Sequence, residues 1–224
     1  MGHRQLVLTR LAPEAMILIL VYPVAAIALH LLPTGFNPVT HELSDYANGP
    51  YGWLMTVGFL GLGLGSLLLV WIVARGHDAG LLSPATLLLL GVWGAARFLA
   101  AFFHDDLPAA VPTVHGRIHN VLGALAFFSV SIAMILASRS FRRDPHWSSL
   151  SRLSLVLGVL ALIATLLFVG GVESSSPTHP VLGLSERVFY VCAIVWLLLV
   201  GSRIARARTR LAGRRGRYPA IGCE

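Results

Sequence analysis

The sequence predicts an all-α integral membrane protein: a bundle of six transmembrane helices with N and C termini in the cytoplasm. Three observations predict it. Apolar residues make up 56% of the chain and charged residues only 12%, about half the charged fraction of a soluble domain. The apolar residues gather into six long runs, each close to the roughly 20 residues a helix needs to cross about 30 Å of hydrocarbon. Most of the basic residues, all 17 of which are arginine, collect in the two terminal segments and in alternate connections between those runs. Continuous rather than alternating apolarity excludes a β-barrel.

The first run, Ala15–Leu32, follows Arg4 and Arg10. Ala26-Ile27-Ala28 would also suit a signal-peptide cleavage site, but the run is long for a signal sequence, so it is read as a span. The second, Tyr51–Ala74, opens after the turn signal Asn48-Gly49-Pro50 and ends at Arg75. Within it Gly61 and Gly65 form a small-xxx-small pair that admits a close helix. Packing inside the chain is the expected use, with a homodimer seam as the alternative. The third run is Leu82–Phe103, and the fourth is Val114–Ala137. Arg139, Arg142, Arg143 and Arg152 separate the fourth from the fifth, Leu153–Val172. The sixth, Arg187–Ile204, leads into Arg206, Arg208, Arg210, Arg214, Arg215 and Arg217. Pro23 and Pro84 are expected to kink or end their helices.

The expected organisation is a helical domain over 1–204 and an arginine-rich cytoplasmic tail over 205–224, in the cell (inner or plasma) membrane. The tail should adhere to anionic lipid, at about 1 kcal/mol for each basic residue near the surface. The pI near 10.4 does not indicate nucleic acid, because the arginines flank apolar runs as membrane topology requires. Cys192 lies in an apolar run and Cys223 in the tail, which argues against a disulfide between them.

The outer connections are short and dense in functional groups. The first carries His41, Glu42, Ser44, Asp45 and Tyr46. The second carries His104, Asp105, Asp106 and Pro108, and leads to His115, Arg117 and His119. The third carries Glu173, Ser174 to Ser176 and His179, then Glu186 and Arg187 at the mouth of the sixth span. His115 and His119, four apart on a helix, share one face. With His104, Asp105 or Asp106 they could bind a metal, most naturally zinc, that activates water. Glu42 or Asp45 would then be the base, and Ser44 a weaker nucleophile candidate. The competing reading is a polar network at the helix ends.

Arg97 and Arg117 lie inside the third and fourth runs, where a charge costs several kcal/mol unless it snorkels or pairs. Asp105, Asp106, Glu42, Asp45 and Glu186 are the expected partners, and Arg187 is expected to pair with Glu186. Alternatively these guanidinium groups, with Glu186, form a site for a phosphate or carboxylate headgroup. Trp53 and Tyr190 are assigned to the interfacial aromatic belt.

Leu43-Ser44-Asp45-Tyr46 before Gly49-Pro50-Tyr51-Gly52, then Asp106-Leu107-Pro108, Gly116-Arg117-Ile118-His119 and Leu184-Ser185-Glu186-Arg187 occur in that order. In these motifs the chain resembles a bacterial and archaeal six-span family known as domain of unknown function nine-nine-eight. The resemblance covers most of the chain and implies a six-helix bundle with an important outer face. It implies no activity. Of the candidate ligands His41, His104, His115 and His119, only His119 falls in the pattern. The ingredients Ser, Asp and three His also resemble those of seven-span zinc hydrolases of the alkaline ceramidase and progestin-receptor-like superfamily. There the histidine pair lies in the last helix, and here it lies in the fourth.

Three functions follow. One is a membrane protein whose outer cluster binds a lipid headgroup or partner. Another is a zinc-assisted hydrolase or transferase acting on lipid. The last is a small transporter, disfavoured because no polar series crosses mid-membrane.

Overall fold

The computed structural model describes residues 10–76, 80–107, 110–173 and 182–215, with side chains for all of these except 172–173 and 207–215. Arg4, Pro108, Ser174 to Ser176, His179, Arg217 and Cys223 therefore lie outside the described residues. So do the side chains of Glu173, Arg208, Arg210, Arg214 and Arg215.

Six α-helices occur among the described residues: α1 (Ala12–Leu31), α2 (Gly52–Arg75), α3 (Pro84–Ala100), α4 (Val114–Arg143), α5 (Ser148–Glu173) and α6 (Leu182–Arg215). A short 3-10 turn, η1 (Ser44–Asn48), precedes α2. Five of the helices are long and apolar enough to cross a membrane, and α3, with 17 residues, is shorter. Hydropathy located all six but misjudged their ends. α3 stops at Ala100, whereas α4 and α6 run on through polar residues to Arg143 and Arg215. Backbone hydrogen bonding inside a helix does not require apolar side chains, so a helix can outlast its apolar stretch. Pro84 starts α3, just after Ser83, whose hydroxyl caps the Thr86 amide at 3.2 Å. Pro23 lies within α1, which continues past it.

Each helix packs against the next in the chain, and α6 returns to α1, closing the bundle. α1 is part of the core: Ala15, Ile19, Tyr22 and Leu29 are buried. Gly61 and Gly65 of α2 face α1, where an added Cβ would come within 2.7 Å of the Leu18 and Ala15 carbonyls respectively. The small-residue seam is thus occupied within the chain. Trp93 of α3 donates its indole N–H to Ser66 of α2 at 3.0 Å, and Trp196 of α6 donates to Ser154 of α5 at 2.9 Å. Cys192 is a free, buried thiol.

The two ends of the bundle differ in chemistry. At the arginine-rich end, Arg203 donates to the His146 carbonyl and to Ser149 Oγ, the latter at 3.0 Å. The opposite, polar end gathers η1, the end of α3 and the starts of α4 and α6.

Candidate functional site

At the polar end η1 folds inward. Ser44 and Asp45 are only 3% and 2% exposed, and Tyr46 is buried with them. Three contacts stitch this turn to the rest of the bundle. The Leu43 amide donates to the carboxylate of Glu186 on α6. Ser44 Oγ lies 3.4 Å from Asp105 Oδ2, and Asn48 Nδ2 donates to the Asp105 carbonyl at 2.9 Å. Gly52 makes the inward fold possible, because a Cβ there would sit 2.0 Å from the Ala47 carbonyl oxygen.

The result is a buried carboxylate ledge. Ser44 Oγ also lies 3.2 Å from Glu42 Oε2, and its single hydrogen cannot serve both Glu42 and Asp105. One of those carboxyl groups must carry a proton for both contacts to be hydrogen bonds. The electrostatics agree. Burial, then Glu186, Asp105 and Asp45, push the Glu42 carboxyl well above its usual value. Burial lifts Asp45 and Asp105 each to about 6.

A pH dependence of opposite sign to ordinary acid denaturation follows. Between the ordinary value of 3.8 and about 6 the folded chain holds protons on Asp45 and Asp105 that the unfolded chain has lost. Stability therefore falls as pH rises through that window and levels off above it. Each group contributes on the order of 2 kcal/mol. Asp105→Asn supplies a neutral donor to Ser44. It is expected to raise the thermal midpoint in detergent at pH 7.5 and to flatten the change between pH 5 and 7.5. A variant less stable than wild type at pH 7.5, with the slope unchanged, would show that Asp105 is held ionised.

Asp106 points elsewhere. Its two oxygens accept from the Thr113 amide at 2.7 Å and hydroxyl at 2.8 Å, and those bonds lower its pKa. Thr113 in turn caps α4 by accepting from the Gly116 amide at 3.0 Å. Gly116 leaves room for this carboxylate, since a Cβ would lie 2.1 Å from Asp106 Oδ2. His119, 6% exposed, donates from Nδ1 to the Phe103 carbonyl at 2.7 Å. His115 is exposed against the Phe103 ring, and His104 Nε2 meets Thr56 Oγ1 at 3.3 Å. The structure thus sends His104, Asp105 and Asp106 to separate partners, while His115 and His119 meet the ring and the carbonyl of Phe103. Among the described residues no three His, Cys, Asp or Glu side chains are grouped as metal ligands. His41 contacts Thr40 and the Asn37 amide rather than Ser44.

The hydrogen bonds of Arg97, Arg117 and Arg187 go to neutral groups where carboxylates were expected. Arg97, 2% exposed, donates to the Tyr190 hydroxyl at 2.6 Å and to the Leu122 carbonyl at 3.2 Å. Its guanidinium lies within 5.7 Å of the ring centroids of Phe59, Trp93 and Phe127. Tyr190 is therefore a core residue and not a belt residue, while Trp53 is exposed. Arg117, exposed, reaches the Thr113 carbonyl. The hydrogen bonds of Arg187 do not go to Glu186, because neighbours on a helix point about 100° apart, although the two charges interact. It donates to the His41 carbonyl at 2.9 Å, the Gly183 carbonyl at 2.8 Å and His30 Nε2 at 3.0 Å.

A model described as a protein of unknown function, DUF998, matches residues 16–203. The chain belongs to the DUF998 family. No curated protein and no solved structure matches it. In this DUF998 chain the resemblance motifs have structural work to do. Leu43-Ser44-Asp45-Tyr46 forms the inward turn, and Asp106 with Gly116 sets the cap of α4. Glu186 and Arg187 tie α6 to the first connection. Tyr190, assigned from the sequence to the aromatic belt, and Asn48, read as part of a turn, are instead hydrogen-bond partners at this end of the bundle, and Thr113 was not singled out. Thr113, a capping residue just before an apolar run, carried a local signal that could have found it.

Proposed function

We propose that this membrane protein binds the phosphate headgroup of an anionic lipid at its polar end, and the arginine distribution supports reading that end as the outer face. One observation carries the reading: Arg187 and His30 stand together at the mouth of a cleft between α1 and α6. Arg187 is half-buried and anchored by two carbonyls, so its fork is already oriented. His30 takes Nε and Nη2, Tyr46 lies against the guanidinium, and the Asp45 and Glu186 carboxyls share its field from the buried side, so a phosphate would meet this charge at the mouth by displacing His30. Arg97 lies inside an aromatic cage, and Arg117 stands apart at the start of α4; neither shares this mouth. The hydrolase reading has less support, because Ser44 has no histidine partner among the described residues and His115 is exposed.

The test is lipid retention by the protein released from nanodiscs of mixed phosphatidylglycerol and phosphatidylcholine, read by native mass spectrometry. Phosphatidylglycerol is expected to be retained preferentially. Arg187→Gln is expected to weaken that preference about tenfold or more, the value of one charge-assisted contact, and Arg187→Lys to restore part of it. Equal retention of both lipids by the wild-type protein would sink the reading.

A further inference from the structure

The cleft extends well beyond its charged mouth. It has a volume of about 390 Å³ and runs between α1 and α6, from His30 and Arg187 to Leu20 and Leu198. Those ends are ten and eleven residues apart, which at about 1.5 Å per helical residue is roughly 15 Å. That is the depth of one leaflet of a hydrocarbon core about 30 Å thick. Pro23 and Ala26 form part of the α1 wall, and their short side chains leave the space open. Ile27 and Val191, each 61% exposed, stand at its rims facing outward, so the cleft opens sideways to lipid.

We propose that this cleft holds one acyl chain of the lipid whose phosphate meets Arg187, so that the protein takes up an anionic phospholipid side-on from the leaflet at its polar end. The proposal rests on the headgroup reading of Arg187. A cation at the mouth selects an anionic amphiphile, and an apolar slot one leaflet deep accepts its tail. A second copy of the chain would bring a helix, about 10 Å across with its side chains, to a slot that Pro23 and Ala26 open for something slimmer.

The experiment uses nanodiscs containing phosphatidylglycerol with a photoactivatable diazirine on one acyl chain, followed by peptide mapping. Label is expected to concentrate on residues 20–30 and 187–198. Ala26→Phe and Val195→Phe, which fill the slot from opposite walls, are each expected to cut that label several-fold. Retention of short-chain dihexanoyl phosphatidylglycerol should persist in both. Label spread evenly over the lipid-facing surfaces of all helices would overturn the proposal. So would efficient disulfide dimerisation of Ile27→Cys, which would place a second copy in the cleft. The two readings fail separately. Lost phosphatidylglycerol preference with cleft labelling intact removes the headgroup role. Intact preference with scattered label removes the acyl-chain site.

Discussion

Arg97→Ala is expected to lower the stability of the purified protein by about 3–5 kcal/mol, the range for emptying a large buried side chain. Arg97 comes from α3, its hydroxyl partner Tyr190 from α6 and its carbonyl partner Leu122 from α4. Phe59 adds α2 to the same cage. Truncation leaves a cavity between four helices and strips the Tyr190 hydroxyl and Leu122 carbonyl of their donor. Arg97→Met separates volume from charge. It refills most of the space and removes a buried cation whose Nε has no hydrogen-bond partner among the described residues. Its cost should be under about 1.5 kcal/mol. Thermal unfolding of the three proteins in one detergent decides the matter. Equal damage from Ala and Met would mean that the charge and its hydrogen bonds hold the four helices in place, and not the packing.

Gly63→Val should be among the most damaging changes within the body of α2. Gly61 and Gly65 face α1, but Gly63 faces α3. A Cβ at Gly63 would sit 2.4 Å from the Phe98 amide nitrogen and 2.6 Å from its Cα. Backbone atoms cannot rotate aside as a side chain would, so α2 and α3 must move apart. The expected cost is about 3 kcal/mol, the upper end for overpacking. Because Phe98 follows Arg97, the same movement disturbs the cage. Gly91→Ala is the control: nothing lies within 4 Å of its Cβ, so the substitution should be neutral or slightly stabilising. Measured thermal midpoints that rank the two variants the other way would show that α2 and α3 do not meet at Gly63.

The helices were legible because burial in lipid demands one thing of a sequence, a sustained apolar run, and hydropathy measures it directly. Their ends were less legible, since Arg139, Arg142 and Arg143 continue α4 without contributing to hydropathy. At the polar end the motif around Ser44 was visible, as were the right residue types. Their pairing was not. The Leu43–Glu186 contact joins positions 143 residues apart, and no local pattern encodes it. Proximity in sequence misled in two places. Glu186 and Arg187 are neighbours that point apart. Asp105 and Asp106 are neighbours that serve opposite sides, one bonded to the first connection and the other to the start of α4. His115 and His119 share a helix face as expected. Yet His119 lies against the Phe103 carbonyl while His115, one turn nearer the helix end, is exposed.

The contacts of the first connection with α6 also set an order of assembly. A ribosome makes residues 12–48 first, and the Leu43 amide then lacks its carboxylate until residue 186 has emerged. The His41 carbonyl likewise waits for Arg187, and the α1 surface around Ala26 waits for its opposite wall. Until then, α1 and the turn that follows it are supported chiefly by α2. The final helix is therefore the keystone. Its arrival completes the polar end and creates the cleft in the same step, so a chain interrupted before residue 182 would have five helices and no cleft.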